Sequence, residues 1–132
     1  MLFIKTYPFL LLFFLVVDLL WLGVVSRNFY RKHLHHLFKE NVNWPAALVF
    51  YVVYIAGLMI FAVLPAIRNS SLFFALGYGM LYGFFTYATY DLTNLATIRG
   101  WPKVIVVVDM AWGTVLCGMA AVAGYYVAGW AA

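Results

Sequence analysis

Charged residues are scarce in this chain, and their scarcity decides its class. Only 9% of the 132 residues are Asp, Glu, Lys or Arg, whereas 67% are hydrophobic, and the mean hydropathy is +0.98. Soluble domains carry about 25% charged residues, because charged groups cover the surface that meets water. A chain with so few of them cannot form such a surface. The composition therefore predicts an integral membrane protein made of a single membrane domain.

Cysteine and the usual catalytic motifs are also missing or nearly so. The single cysteine, Cys117, excludes an intramolecular disulfide. We find no glycine-rich phosphate loop and no Ser/His or Cys/His pair that would indicate a nucleophile. The net charge of +4 comes from the loops, and no feature beyond this loop charge indicates nucleic-acid binding. We therefore expect no cofactor and no nucleic-acid partner, and catalytic residues stay unknown.

Four long hydrophobic runs are what the chain does contain. A helix needs about 20 apolar residues to cross a bilayer. Asn43 before Pro45, and the pair Ser70-Ser71, are signals for helix starts. The first run contains Asp18 and is too long for a signal peptide, so we expect a retained helix. Continuous rather than alternating apolarity favours an all-α membrane four-helix bundle over a barrel. The predicted spans are 4–25, 44–66, 71–98 and 102–128.

Basic residues are distributed unequally between the two ends of these spans. One side carries Lys5 and Arg68. The other side carries six: Arg27, Arg31, Lys32, Lys39, Arg99 and Lys103. Loops rich in Lys and Arg stay in the cytoplasm. The first and third loops are therefore predicted to be cytoplasmic, and both termini are predicted to lie outside.

The first loop has a pattern of its own. Over residues 27–40, aromatic and aliphatic residues alternate with basic ones at roughly helical spacing, which predicts an amphipathic segment at the membrane interface. His33, His36 and Glu40 have a spacing that could bind zinc. Without a fourth ligand they make a poor site, so a solvated face is the preferred interpretation and no metal is predicted.

Three aspartates inside the spans are the most informative residues. An Asp at the bilayer centre costs about 2.5–3.5 kcal/mol, so such residues usually face the bundle interior. Asp18, Asp91 and Asp109 each lie seven residues from a cytoplasmic helix end, at Val25, Ile98 and Pro102. At 1.5 Å per residue, all three lie roughly 10 Å below that boundary. The sequence therefore predicts that they share one layer.

Short motifs accompany these acids. Asp18 and Asp109 each begin a D-x-x-W motif, and Asp91 begins D-x-x-N, which places a potential donor three residues away on the same helix face. Gly79 and Gly83 form a G-x-x-x-G motif that predicts close helix contact. The predicted residues of a ligand or proton site are Asp18, Trp21, Tyr87, Asp91, Asn94, Asp109 and Trp112.

Three functional interpretations stay open. In the first, the acids line a cytoplasm-facing cavity that binds or transports a cation, a proton or a small amphipathic ligand, with a homodimer invoked because four spans are few for a conduit. In the second, a membrane enzyme uses two carboxylates as general acid and base on lipids. In the third, a structural subunit uses the acids to fix helix packing, paired with Arg27, Arg99 or Lys103. The first is preferred, so a non-enzymatic role is favoured over an enzyme.

The motifs together resemble a known family. They are Asp18-x-x-Trp21-Leu22-Gly23, Asn43-Trp44-Pro45-Ala46-Ala47 with Phe50-Tyr51, Tyr90-Asp91-Leu92-Thr93-Asn94-Leu95-Ala96-Thr97, and Asp109-x-x-Trp112-Gly113. This set is similar to the bacterial membrane family labelled domain of unknown function 2177, over nearly the whole chain. The resemblance implies a small multi-pass protein of the bacterial inner membrane, in contact with the lipid bilayer. It supplies no activity, cofactor or catalytic residue.

Overall fold

The computed structural model describes residues 2–25, 27–34 and 43–131, and within these ranges it contains helices and no strand. The helices are α1 (Leu2–Val25), α2 (Arg27–Leu34), α3 (Trp44–Arg68), α4 (Leu72–Thr97) and α5 (Lys103–Ala131). All except α2 are long and apolar enough to cross a membrane. The prediction of an all-α bundle with four spans is therefore confirmed.

The helices α3 and α4 begin where capping side chains satisfy their first amides. The Asn43 side chain accepts a hydrogen bond from the Ala46 N–H at 3.2 Å, with Pro45 in the first turn of α3. The Ser71 hydroxyl accepts one from the Phe74 N–H at 3.1 Å. Both caps lie at the positions the sequence indicated. Since the first amides of a helix have no partner within it, these side chains fix where each helix starts.

The last turns of α3 contain a proline. The helix continues through Pro65 to Arg68, two residues beyond the predicted span end at residue 66. A π-helical turn, Met59–Val63, precedes the proline, and the Leu64 N–H bonds to the Met59 carbonyl. Because proline has no N–H and crowds the preceding turn, the wider turn accommodates its ring without ending the helix.

The closest helix pair is α4 and α5, which approach through glycine. A methyl group placed on Gly79 would lie 2.6 Å from both the Ala121 Cβ and the Cys117 carbonyl oxygen. One placed on Gly83 would lie 2.8 Å from the Cys117 Cβ. Such distances are too short for real side chains, so the G-x-x-x-G motif does mediate a close approach. These two helices form the most extensively packed pair among the described helices.

The helices α1 and α3 complete the bundle around a shared core. Its largest fully buried side chains are Leu10, Phe14, Ile55, Leu58, Met59, Val63, Leu116 and Cys117. The C-terminal half of α3, from Met59, packs against α4 and α5. Its N-terminal half packs mainly against α1 instead. A groove of about 650 Å³ opens on the bundle surface between the first half of α3 and α4, lined by residues that include Val49, Val53 and Tyr82. Tyr54 connects the two helices at this groove through hydrogen bonds with Tyr82 and Thr86.

The short helix α2 folds onto the start of α5. Tyr30 and Leu34 are buried against Ile105, whereas Arg31 and Lys32 are exposed. The described part of the predicted interfacial segment is thus amphipathic, and its apolar face covers the end of the bundle where α5 begins. Residues 35–42 of the first loop lie outside the described residues.

Candidate functional site

Asp18 links α1 to two other helices. Its carboxylate accepts a 2.6 Å hydrogen bond from the Tyr51 hydroxyl on α3 and a 3.4 Å bond from the Trp112 indole N–H on α5. Asp18 is only 6% exposed, so both bonds are shielded from solvent. A buried carboxylate with two donors is satisfied. Asp18 therefore holds α1, α3 and α5 together at this level.

The two tryptophans of the D-x-x-W motifs do not serve the aspartates of their own helices. Trp112 donates to Asp18, and Trp21 donates to the Tyr30 hydroxyl at 3.4 Å, which in turn donates to the Asp109 Oδ1 at 2.9 Å. The two indoles stack with centroids 4.3 Å apart and planes 8° apart. Since an indole N–H lies far from its own backbone, it reaches past a short neighbouring Asp and meets the facing helix instead.

Asp91 and Asp109 form a pair of carboxyl groups between α4 and α5. The Asp91 carboxyl lies within hydrogen-bonding reach of the Asp109 carboxyl. Asp91 is 0% exposed, and among the described residues neither of its oxygens has a hydrogen-bond donor. Asn94, the donor that the D-x-x-N motif suggested, forms no hydrogen bond with Asp91. We call the level of Asp18, Asp91 and Asp109 the acid layer. In it, the hydrogen-bonding capacity of Asp18 is satisfied, whereas that of the Asp91/Asp109 pair is satisfied only in part.

Basic side chains do not neutralise this layer in the described part of the chain. Arg99 and Lys103, which the structural interpretation would pair with the acids, are exposed and form no ion pair with them. The Arg27 side chain lies outside the description. Within the described residues, the interactions of Asp18 and Asp91 come from tyrosine, tryptophan and Asp109.

Two adjoining cavities open at Asp109. The first, of about 510 Å³, lies under α2 and is lined by Tyr30, Arg31 and Trp101 among others. We call it the α2 cavity. The second, the central cavity, has about 520 Å³ and is lined by Phe50, Tyr54, Thr86 and Tyr87 as well as the shared residues. Both are lined by Leu22, Tyr90 and Asp109. Asp109 is therefore the carboxylate that faces open space.

The central cavity also adjoins the groove between α3 and α4. Phe50 and Tyr54 line both spaces. Tyr54 is held in place by hydrogen bonds to the Thr86 hydroxyl at 2.7 Å and the Cys117 sulfur at 3.1 Å. The three spaces thus follow one another from the exposed side of α2, past Asp109, to the lipid-facing side of the bundle.

Tyr30 is a residue that the sequence analysis missed. Its hydroxyl joins Trp21 to Asp109, and it lies on α2, outside the spanning helices. Burial, followed by the charge of Asp109, raises the pKa of Tyr30 above its ordinary value, so the hydroxyl keeps its proton and donates to Asp109. Because Tyr30 belongs to the first loop, its depth could not be counted from a helix end.

Tyr51 was also missed, although a signal for it exists. It lies seven residues after Trp44, where α3 begins, and this is the depth at which the three aspartates were placed. The same count that found the acids would have found the tyrosine that donates to Asp18. Of the remaining predicted residues, Tyr87 packs its ring over Gly113 and lines the central cavity.

The weak metal candidates receive no support as a set. The His33 Nδ1 lies 2.9 Å from the Phe29 carbonyl oxygen, and its ring packs against the Phe29 ring. His36 and Glu40 lie outside the described residues. Across the described ranges, no group of three His, Cys, Asp or Glu side chains is arranged to hold a metal ion.

Comparison with known proteins identifies the family. The profile described as "Predicted membrane protein (DUF2177)" matches residues 3–126, which is nearly the whole chain. No curated protein and no solved structure matches the chain. The family resemblance inferred from the aspartate and tryptophan motifs is thereby confirmed. The chain belongs to DUF2177, a family of predicted membrane proteins.

Proposed function

We propose that this protein binds an amphipathic organic cation at Asp109, in the α2 and central cavities. The observation that carries the proposal is the position of Asp109, which lines both cavities with no basic partner among the described residues. A carboxylate inside a low-dielectric bundle attracts a cation far more strongly than one in water. A purely structural acid would instead be enclosed by donors, as Asp18 is.

Aromatic side chains favour an organic cation over a small inorganic ion. Around Asp109 the cavities present the rings of Tyr30, Tyr90 and Trp101 on one side and of Tyr54 and Tyr87 on the other. Aromatic faces attract cations within about 6 Å, and an organic cation gains from them without losing a tight hydration shell. Small ions need several oxygen ligands at short range, and no group of three His, Cys, Asp or Glu side chains is arranged to hold an ion among the described residues.

The groove between α3 and α4 supplies a place for an apolar tail. Phe50 and Tyr54 connect it to the central cavity, and its other lining residues include Val49, Val53 and Phe61, all exposed on the bundle surface. A ligand with its charge at Asp109 can extend an alkyl or aryl part through this gap into the hydrocarbon region. Apolar walls with a few convergent polar groups are typical of small-molecule sites.

The order of Asp109 and Arg31 along the cavities argues against a zwitterionic lipid as the ligand. Of the described residues that line the α2 and central cavities, Arg31 alone is basic, and it lies on the side away from the groove. A phospholipid whose tails lie in the groove would place its phosphate at Asp109 and its amine toward Arg31. Both contacts repel. A ligand with a single positive charge avoids this conflict.

The proposal also includes an orientation, in which the α2 cavity opens to the cytoplasm and both termini face outward. The excess of Lys and Arg in the first and third loops supports it. In a bacterial host, alkaline phosphatase fused to the C-terminus should be active and a fluorescent protein there should be dark. The same reporters placed after Gly100, between α4 and α5, should give the opposite pair of results. A fluorescent C-terminal fusion would reverse the orientation.

Binding can be tested with two ions of the same shape and opposite charge. Tetraphenylphosphonium should bind the protein in lipid nanodiscs saturably, measured by calorimetry against empty nanodiscs, whereas tetraphenylborate should not. Asp109→Asn should weaken the cation about tenfold or more, because a charge contact of at least about 1.4 kcal/mol is lost. Asp18→Asn is the matched comparison and should weaken the cation far less than Asp109→Asn does, since Asp18 lines neither cavity. Equal binding of both ions, or no effect of Asp109→Asn, would refute the proposal.

A further inference from the structure

The carboxyl pair between α4 and α5 needs a proton to be stable. Asp91 is completely enclosed, and neither of its oxygens receives a hydrogen bond within the described residues. The group within reach is the Asp109 carboxyl, which can only accept when both are ionised. Two unit charges about 4 Å apart repel by about 4 kcal/mol near a protein surface and more inside a bilayer. One shared proton removes the repulsion and gives Asp91 a partner at the same time.

The other groups that face the pair do not change this conclusion. From α1, Asp18 contributes a further negative charge. From α2, Tyr30 donates to the other side of Asp109, while Arg31 is exposed on the α2 cavity. From α4, Tyr87 and Tyr90 face Asp109 with neutral hydroxyl groups. Two carboxylates in contact, with no cation between them among the described residues, repel each other unless one proton lies between them.

We propose that Asp91 and Asp109 hold one exchangeable proton between them, and that a cation arriving at Asp109 displaces it. The exchange part rests on the proposed function, whereas the shared proton does not. Asp109 is the member of the pair that lines the cavities, so it is the carboxyl that contacts the cation. Through the same cavities the proton can pass to water. Asp91 stands behind it as the second acceptor.

The exchange conserves charge within the site. Before binding, the protonated pair carries one negative charge. On binding, the O–H bond of the pair breaks, the proton passes to water in the α2 cavity, and the pair gains a second negative charge. The organic cation supplies one positive charge, so the site again carries one negative charge in total. Since net charge is costly to change inside a membrane, this balance favours a one-for-one exchange.

Infrared spectroscopy tests the shared proton without any ligand. The protein in nanodiscs at neutral pH should show the C=O stretch of a protonated carboxylic acid, and this band should shift in heavy water. Asp91→Asn should abolish the band while preserving the fold, because the amide N–H can donate to Asp109 in place of the proton. Asp18→Asn should leave the band intact, since Asp18 already accepts two hydrogen bonds. Absence of the band in the wild-type protein, or its survival in Asp91→Asn, would overturn the shared proton.

Proton release tests the exchange. Titrating the weakly buffered protein with tetraphenylphosphonium should release close to one proton for each cation bound, read by a pH indicator dye. Asp91→Asn should still bind the cation and release none. Cation binding without release from the wild-type protein overturns the exchange and leaves the proposed function standing. No cation binding at all overturns the proposed function and the exchange together, while the infrared band still decides whether the proton is shared.

Discussion

A Trp112→Ala variant is expected to lose about 3 kcal/mol or more of unfolding free energy, the scale on which Trp→Ala changes destabilise packed cores. Two contacts disappear together. The indole stacks on Trp21 at 4.3 Å, and its N–H donates to the buried Asp18 carboxylate. A bilayer offers no water to replace that donor, and lipid tails cannot fill the flat space beside Trp21. The measurement is helix content by circular dichroism while mixed micelles are titrated with SDS.

Two further variants separate the contributions. Trp130→Ala removes an identical ring from the same helix, but Trp130 is 81% exposed, so little stability should be lost. Trp112→Phe keeps a stacking ring and removes only the N–H, and we expect an intermediate loss of about 1–3 kcal/mol, the range for leaving a buried acceptor unsatisfied. If Trp112→Ala behaves like Trp130→Ala, then the stacked indoles do not hold the acid layer together.

A Leu22→Trp variant is expected to abolish saturable binding of tetraphenylphosphonium. Leu22 lines both the α2 cavity and the central cavity, and an indole there occupies the space beside Asp109 that the cation needs. Excluding the cation forfeits its charge and ring contacts, roughly 3 kcal/mol, which corresponds to about a 100-fold loss of affinity or more. Because Leu22 is 43% exposed, the larger side chain has room to enter without disrupting the core.

Leu19→Trp is the matched control for this variant. Leu19 lies on the same helix, is 55% exposed and lines neither cavity, so it tests a new tryptophan at the lipid surface alone. Its affinity should equal that of the wild-type protein. Unfolding curves of both variants would verify that the bundle is intact. Full binding by an intact Leu22→Trp variant would place the cation outside these cavities.

The depth of each polar residue was readable from the sequence because helix geometry is regular. Counting seven residues from the helix ends placed Asp18, Asp91 and Asp109 in one layer, and in the structure Asp18 and Asp91 each lie within electrostatic reach of Asp109. The same count applied to Tyr51 would have identified the strongest donor to Asp18. A rise of 1.5 Å per residue is a property of every helix, so depth transfers directly from sequence to structure.

The partner of each side chain could not be read in the same way. The spacing of three residues suggested that Trp21 would serve Asp18, whereas Trp112 on the opposite helix does so. Sequence spacing reports neighbours on one helix and says nothing about rotation between helices. Tyr30 escaped notice for a related reason, since α2 is short and its position depends entirely on packing against α5. Contacts between helices determine both the donor to Asp18 and the position of Tyr30.

The groove between α3 and α4 makes the concentration of the cation in the lipid, and not its concentration in water, the one that would govern occupancy of the proposed site. Since this groove faces the bilayer, the proposed hydrophobic cation would reach Asp109 from the leaflet, where such a cation accumulates far above its level in water. The membrane then acts as a reservoir, and apparent affinity expressed per volume of buffer should fall as more lipid is added at constant total cation. Affinity expressed as mole fraction in the lipid should remain constant. Under the proposed function, cations of very low aqueous solubility would therefore be as accessible to this site as soluble ones.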